Sequence, residues 1–312
     1  MRNAIGTFSL AAILVAAFPA IESRGPLAAG IGLVDGLWVM QKVEDRYEGD
    51  DVQEDLFLTL SSTVRTGERP RDMEVRWLKK NQAGGDKLVV HFLEPNYAKG
   101  VTLLMLTKPY VDDERWLYFP DPNLIRRVTA VDEHTNFMGT DFTYYDLSER
   151  EPDEEVHTLL RIEQIKDVTC YVVETTPKAP VSGGYAKKVT WIDKDRFLKM
   201  RIQYFHKTGQ LWKQYDPEQW VQIDGVWTPL LLTMENFLQQ HKTVIKRANV
   251  RYNQKIAAAF FEPRNVDCVQ YRDGRFALLP FEQRPTRVWE NKKKASGGVG
   301  KTAGSAAAKR PG

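Results

Sequence analysis

From Asp55 to Tyr252 the chain is a succession of short segments in which apolar side chains recur at every second position. Leu56, Leu58 and Leu60 alternate with Phe57 and Thr59, and Met73, Val75 and Trp77 alternate with Glu74, Arg76 and Leu78. A period of two marks a strand with one face buried. The pattern recurs at 87–93, 101–107, 115–119, 159–165, 171–176, 188–192, 198–205, 220–223, 226–236 and 243–252. The joints carry hairpin chemistry: Ala83-Gly84-Gly85-Asp86, Asp193-Lys194-Asp195, Lys207-Thr208-Gly209 and Asp224-Gly225, the last a strong two-residue turn signal. No helical stretch long enough for a crossover separates the strands between Tyr171 and Tyr252, which argues against a parallel sheet there. Consecutive hairpins predict a meandering antiparallel sheet that curls on itself, closed into a barrel or left partly open.

Ahead of the strands, Leu37, Met40, Val43 and Tyr47 are spaced three to four apart, which predicts one amphipathic helix over 34–50. Some strands are apolar on both faces, as in Val101–Leu106 and Trp227–Leu232. One face could pack outward while the other lines a cavity, or both could fill a solid core; the pattern alone allows either.

The ends differ from the middle. Met1-Arg2 is followed by a run without ionisable side chains from Ala4 to Ala20, in the order of an export signal and short for a membrane span; an uncleaved anchor is the competing reading. No cysteine follows it, which argues against a lipid-modified N-terminus. Beyond Arg284 the chain turns to Lys, Gly, Ala and Ser, the composition of a flexible tail. Its Gly297-Gly298-Val299-Gly300-Lys301-Thr302 approaches a phosphate-binding loop but lacks the strand and helix that would hold one. The expected layout is thus a signal over 1–29, one folded domain over 30–283 and a basic tail over 284–312.

With 44 Lys plus Arg against 41 Asp plus Glu, the net charge of +3 is too small to mark a nucleic-acid binder. The two cysteines, Cys170 and Cys268, allow one disulfide or two separate thiols. The five histidines are scattered and form no zinc motif, and no serine occupies a nucleophile elbow. Acidic clusters at 50–51, 112–114 and 149–155 read as solvated loops. No enzyme, metal or cofactor is therefore expected.

The most distinctive segment runs from Leu124-Ile125-Arg126-Arg127-Val128 to Phe137-Met138-Gly139-Thr140-Asp141-Phe142-Thr143-Tyr144-Tyr145-Asp146-Leu147. It is rich in aromatic residues without a regular period, and could lie across the mouth of a curved sheet as a lid or a plug. Here the chain resembles the bacterial outer-membrane lipoprotein-sorting proteins, the LolA-like group of periplasmic carriers. The resemblance rests on Arg126-Arg127 followed by Phe137, Gly139, Thr140, Asp141, Phe142, Tyr144, Asp146 and Leu147. It extends to Tyr171–Lys178, Trp191-Ile192-Asp193 and Lys207–Gly209.

The resemblance implies a mainly β fold with a helical lid: an incomplete, strongly curved antiparallel barrel enclosing an apolar cavity that receives acyl chains. It implies a non-catalytic periplasmic carrier that moves a lipid or lipoprotein between envelope membranes. Expected partners are acyl chains, peripheral membrane contacts and an inner-membrane exporter of the resistance-nodulation-division type. A scaffold protein accessory to such an exporter is the alternative, and an unrecognised envelope hydrolase a third reading. Candidate wall residues are Leu58, Val75, Trp77, Leu103, Met105, Trp116 and Tyr118, with Phe137, Met138 and Phe142 at the lid. Asp141 is a lid residue, and Arg126 and Arg127 either hold the lid, meet a lipid headgroup or make surface ion pairs.

Overall fold

The computed structural model describes residues 34–290 apart from 65–66, 83, 180–182, 274 and 285–287. The expected signal over 1–29 and the tail from 291 onward lie outside the described residues.

Two antiparallel meanders make the fold. The first is β1 (Asp51–Ser62), β2 (Arg71–Lys80), β3 (Lys87–Glu94), β4 (Thr102–Leu106), β5 (Glu114–Phe119) and β6 (Leu124–Val128). The second is β7 (Glu155–Ile165), β8 (Val168–Pro177), β9 (Lys187–Asp193), β10 (Lys199–Phe205), β11 (Leu211–Ile223), β12 (Val226–Asn236) and β13 (His241–Tyr252). A small hairpin, β14 (Val269–Arg272) and β15 (Arg275–Leu278), and a short strand, β16 (Val288–Glu290), follow. β1 pairs antiparallel with β13, with Leu58 opposite Ile245, and this seam joins the meanders into one sheet. Its order is β16-β6-β5-β4-β3-β2-β1-β13-β12-β11-β10-β9-β8-β7, so it is not closed into a barrel. Among the described strands only β16 on β6 is parallel.

Turn chemistry sets the register. Asp224 and Gly225 both have positive φ, 50° and 81°, the backbone of a tight two-residue hairpin. At the β3 entry Gly85 has φ 112°, and a Cβ there would stand 1.9 Å from the Thr107 carbonyl oxygen, so only glycine fits. Pro217 interrupts the pattern within β11, yet the strand continues through it. The pairing of β11 with β10 ends at Tyr215, while pairing with β12 runs on past Pro217 opposite Leu232. A missing N–H is tolerated where one neighbour has left.

The helix is shorter than the spacing suggested. α1 (Gly36–Glu44) begins on Asp35, whose side chain accepts from the Trp38 N–H at 2.7 Å. It buries Gly36, Val39 and Val43 instead of Leu37 and Met40, and Tyr47 lies beyond its end, 55% exposed. The register follows from contact with β7. A Cβ on Gly36 would come within 2.6 Å of the His157 backbone, so the helix turns its glycine to the sheet.

The first meander is apolar on both faces, and each face has its own cover. Val90, Phe92, Leu103, Met105 and Leu117 point to one side, with Leu56, Leu58, Val75 and Ile245. Val89, Leu104, Trp116, Tyr118 and Ile125 point to the other, beneath Ile256, Phe261, Val266 and Val269 of the C-terminal segment. That segment is built from single 3₁₀ turns at Ala258–Phe261 and Pro263–Asn265 and the β14–β15 hairpin. Cys170 belongs to a cluster with Val172 and Trp191, and Cys268 sits beside Asp267. Both cysteines are buried and no disulfide joins them, so the bridge left open by the sequence is not formed.

Candidate functional site

On the side opposite the C-terminal cover lies a cavity of about 390 Å³. Its apolar floor is drawn from both meanders: Leu56 and Leu58 of β1, Val75 and Trp77 of β2, Val90 of β3, Met105 of β4, Ile202 of β10, Leu232 of β12 and Ile245 of β13. Alternation explains the selection, since every second residue of a strand faces one side.

The segment between β6 and β7 closes part of the cavity through Phe137, Thr140, Phe142, Asp146 and Leu147. It carries four short 3₁₀ turns, at Ala130–Asp132, Phe137–Gly139, Tyr145–Leu147 and Pro152–Glu154, and no α-helix. Phe137 is buried against Phe92 and Tyr144, with ring centroids 5.7 and 5.4 Å away. Phe142 packs edge-on against Tyr215 at 6.1 Å.

A buried polar network pins this segment to the second meander. The Asp141 N–H donates to Thr243 Oγ1 at 2.9 Å, and that hydroxyl donates back to Asp141 Oδ2 at 2.7 Å. His241 Nδ1 is also 2.7 Å from Oδ2. Lys213, fully buried on β11, donates from Nζ to the Asp141 carbonyl at 2.6 Å and to Tyr185 Oη at 3.1 Å. Tyr185 donates to Asp146, which lies 3.7 Å from Lys213 and also accepts from the Thr143 N–H and hydroxyl. Burial lowers the Lys213 pKa, against the opposing pull of Asp146 and Asp141. Arg115, 1% exposed, ties the end of the segment to the sheet through Asp113 at 2.6 Å, Ser148 at 3.0 Å and Glu133 at 3.5 Å.

Charged residues gather at another part of the cavity wall. Lys79 Nζ lies 2.6 Å from Glu149, 3.1 Å from Asp86 and 3.9 Å from Glu48. Burial raises the Asp86 carboxyl to about 6 despite Lys79. Burial would raise Glu149 as well, but Lys79 and Asp86 bring it down to about 2. Deeper in, Arg247 Nε donates to Glu54 and Nη1 to the Pro229 carbonyl. The wall is therefore apolar over most of its area and ionic at a few places, with each buried charge held against an opposite one.

Six of the ten residues expected at the cavity line it: Leu58, Val75, Trp77, Met105, Phe137 and Phe142. Leu103 and Met138 pack in the core beside it. Trp116 and Tyr118 are corrections to the expected wall, because their strand turns them to the opposite face under the C-terminal cover. Arg126 and Arg127 make ion pairs at the surface, one of the three roles expected of them, and Asp132, the partner of Arg126, belongs to the segment itself. Arg126 is 3.8 Å from Asp132, and Arg127 is 3.8 Å from Glu114 with its guanidinium over Trp116. Asp141 is where the segment is fastened. Sequence reasoning missed Lys213, Tyr185, His241, Thr243, Arg247 and Glu54. The usable signal was a charged residue in the inward phase of a strand, as at Lys213 and Arg247.

A family model described as that of an uncharacterized protein matches residues 84–267, more than half of the chain. No curated protein matches. Among solved structures, a DUF1329 family protein from Desulfovibrio piger is 24% identical, with a TM-score of 0.69 over 74% of this chain and 97% of its own. A putative outer membrane lipoprotein-sorting protein domain from Vibrio parahaemolyticus is 23% identical, with a TM-score of 0.70 over 74% and 98%. A LolA superfamily protein from Nitrosomonas europaea is 19% identical, with a TM-score of 0.57 over 74% and 99%. The chain belongs to the family that this model describes, and its fold is that of the DUF1329, LolA superfamily and outer membrane lipoprotein-sorting proteins named above.

Proposed function

We propose that this protein is a non-catalytic carrier that holds the hydrocarbon part of a lipid or lipoprotein in the cavity and moves it between membranes of the cell envelope. The observation that carries this reading is the lining: an apolar floor collected from both meanders, with ionic groups confined to a few places on the wall. Small-molecule sites span roughly 300–1,000 Å³, and an engineered apolar cavity of about 150 Å³ takes benzene, so about 390 Å³ suits one hydrocarbon chain. Each buried CH₂ contributes about 0.8 kcal/mol, so a chain of about a dozen carbons gains roughly 9 kcal/mol before the costs of association.

The curvature expected of the sheet belongs to the same reading. Met105 on β4 and Ile202 on β10 line one cavity, although seven strand-to-strand steps separate their strands. In a flat sheet that distance is about 34 Å, so a shared cavity calls for a strongly bent one. The LolA superfamily and lipoprotein-sorting folds of the structural neighbours support the carrier reading over a catalytic one. Residues 30–283 are read as the carrier domain, and residues 1–29 as the signal that delivers it to the periplasm. The tail and an inner-membrane exporter are the contacts through which cargo would be handed over.

The test is lipid extraction and native mass spectrometry of the full chain purified from its own cell envelope. Acyl-bearing species bound near one per chain are expected. A lipid-free protein that also takes up no hydrocarbon probe would refute the carrier.

A further inference from the structure

The two ends of the sheet differ in charge. In a meander alternate connections lie at one end, and the β1–β13 seam sets the two meanders in phase, with Ser62 opposite His241. The connections 63–70, 95–101, 120–123, 178–186, 206–210 and 237–240 share one end; 81–86, 107–113, 166–167, 194–198 and 224–225 share the other. The first set carries five Lys and Arg against two Asp and Glu, and the second carries four against six. One end is therefore positive and the other negative.

At the positive end two adjoining tips are also apolar. The 237–240 connection of β12 with β13 reads Phe-Leu-Gln-Gln, without the Gly, Asp or Pro that a turn alone would select. Its shape is held from behind. Asn236 Nδ2 donates to Gln239 Oε1 and Asn236 Oδ1 accepts from the Gln239 N–H, each at 3.1 Å, and the Phe237 N–H donates to the Trp212 carbonyl at 2.9 Å. Phe237 and Leu238 are left 39% and 46% exposed. The Thr63 N–H donates to the Gln240 carbonyl at 2.9 Å, which sets Val64, 55% exposed, on the adjoining tip. Single exposed apolar residues are ordinary, but three on adjoining ordered tips make a patch. Arg69 and Lys207, exposed on the flanking connections, are in no ion pair among the described residues.

We propose that this end of the sheet docks on an anionic lipid bilayer, with Val64, Phe237 and Leu238 entering the headgroup layer and Arg69 and Lys207 meeting lipid phosphates. The inference rests on the carrier reading for its purpose, as the surface at which cargo would be handed over. Apolar side chains on a protrusion ringed by cations match an interface that is negative outside and greasy within. The opposite end also exposes apolar side chains, Tyr110, Val111 and Val131, but these adjoin Asp112, Asp113, Asp132 and Glu133, and the Tyr110 hydroxyl donates to Asp153 at 3.3 Å. An anionic surface repels that end. The docking tip is also joined to the segment that closes part of the cavity. Asn136 Nδ2 donates to Gln239 Oε1 at 3.3 Å, and His241, directly after the tip, holds Asp141. Docking here brings the membrane against the contacts that fasten that segment.

The experiment uses the chain purified from its own cell envelope and vesicles of equal parts phosphatidylcholine and phosphatidylglycerol. An environment-sensitive dye is placed on Leu238→Cys or, at the opposite end, on Tyr110→Cys; the native Cys170 and Cys268 are buried and stay unlabelled. The dye at 238 is expected to brighten on the vesicles and to be quenched by a lipid-borne quencher, and the dye at 110 to stay unchanged. Each basic group near an anionic surface is worth about fivefold in affinity, so Arg69→Gln with Lys207→Gln should weaken vesicle binding by about 25-fold. Phe237→Ser with Leu238→Ser should weaken it by more than about tenfold and leave Tm unchanged, because both side chains are exposed. A dye at 238 that stays silent while the protein floats with the vesicles would overturn the docking surface. So would an equal response at 110, a double serine variant that binds as wild type does, or a patch that pairs two copies of the chain and ignores vesicles. Hydrocarbon-probe uptake by the same protein separates the two readings. A silent tip with normal uptake overturns the docking surface alone, and a responding tip without uptake overturns the carrier alone.

Discussion

Replacing Lys213 by methionine asks whether the segment between β6 and β7 is held mainly by its buried polar network. Lys213 Nζ makes two hydrogen bonds, at 2.6 Å to the Asp141 carbonyl and at 3.1 Å to Tyr185, and lies 3.7 Å from Asp146. Methionine keeps most of the stem volume and removes the charge. Asp146 then stays buried without its cation but keeps three donors, from the Thr143 N–H, the Thr143 hydroxyl and Tyr185. Breaking a buried ion pair costs about 3–5 kcal/mol, and those donors put the loss near the lower end, about 3 kcal/mol. For a domain of this size that is a fall in Tm of about 6–12 °C. Urea unfolding should show a lower midpoint with an unchanged slope, since the surface exposed on unfolding is the same. Adding Asp146→Asn should recover part of the loss by removing the stranded charge. A loss below about 1 kcal/mol, or no recovery in the double variant, would refute the idea that this network fastens the segment.

Three further outcomes follow from the geometry. Leu232→Trp projects an indole into the cavity from β12 and should reduce hydrocarbon-probe binding more than about tenfold; binding within twofold of wild type would move the guest elsewhere. Phe142→Asp should reduce probe uptake, whereas Trp116→Asp, on the opposite face, should lower stability without a specific loss of uptake; the reverse order would invert the assignment of faces. His91 is held at about 4, below its ordinary 6.5, chiefly by burial and then by Arg76. It is neutral in the fold and protonated in the unfolded chain between these values, so stability should fall as pH drops from 6.5 to 4, by up to about 3 kcal/mol. The slope of stability against pH should flatten over that window in His91→Gln, and an unchanged slope would remove His91 as its source.

What the amino-acid order determined by itself was local. Period-two alternation placed the strands, Asp224-Gly225 placed a hairpin, and the absence of crossover helices made the pairing antiparallel, because these depend on residues adjacent in the chain. Alternation names two faces without saying which is inside when both are apolar. Val89 and Val90, or Trp116 and Leu117, are equally greasy, and the C-terminal cover chose between them from more than a hundred residues away. Pro217 sits inside β11, where the departure of β10 leaves its missing N–H harmless. The seam of β1 with β13, the meeting of Lys213 with Asp146 and the ion pair of Arg247 with Glu54 join residues 67 to nearly 200 positions apart. Such contacts leave no periodic trace, since only folding brings those charges close enough to cancel out of water.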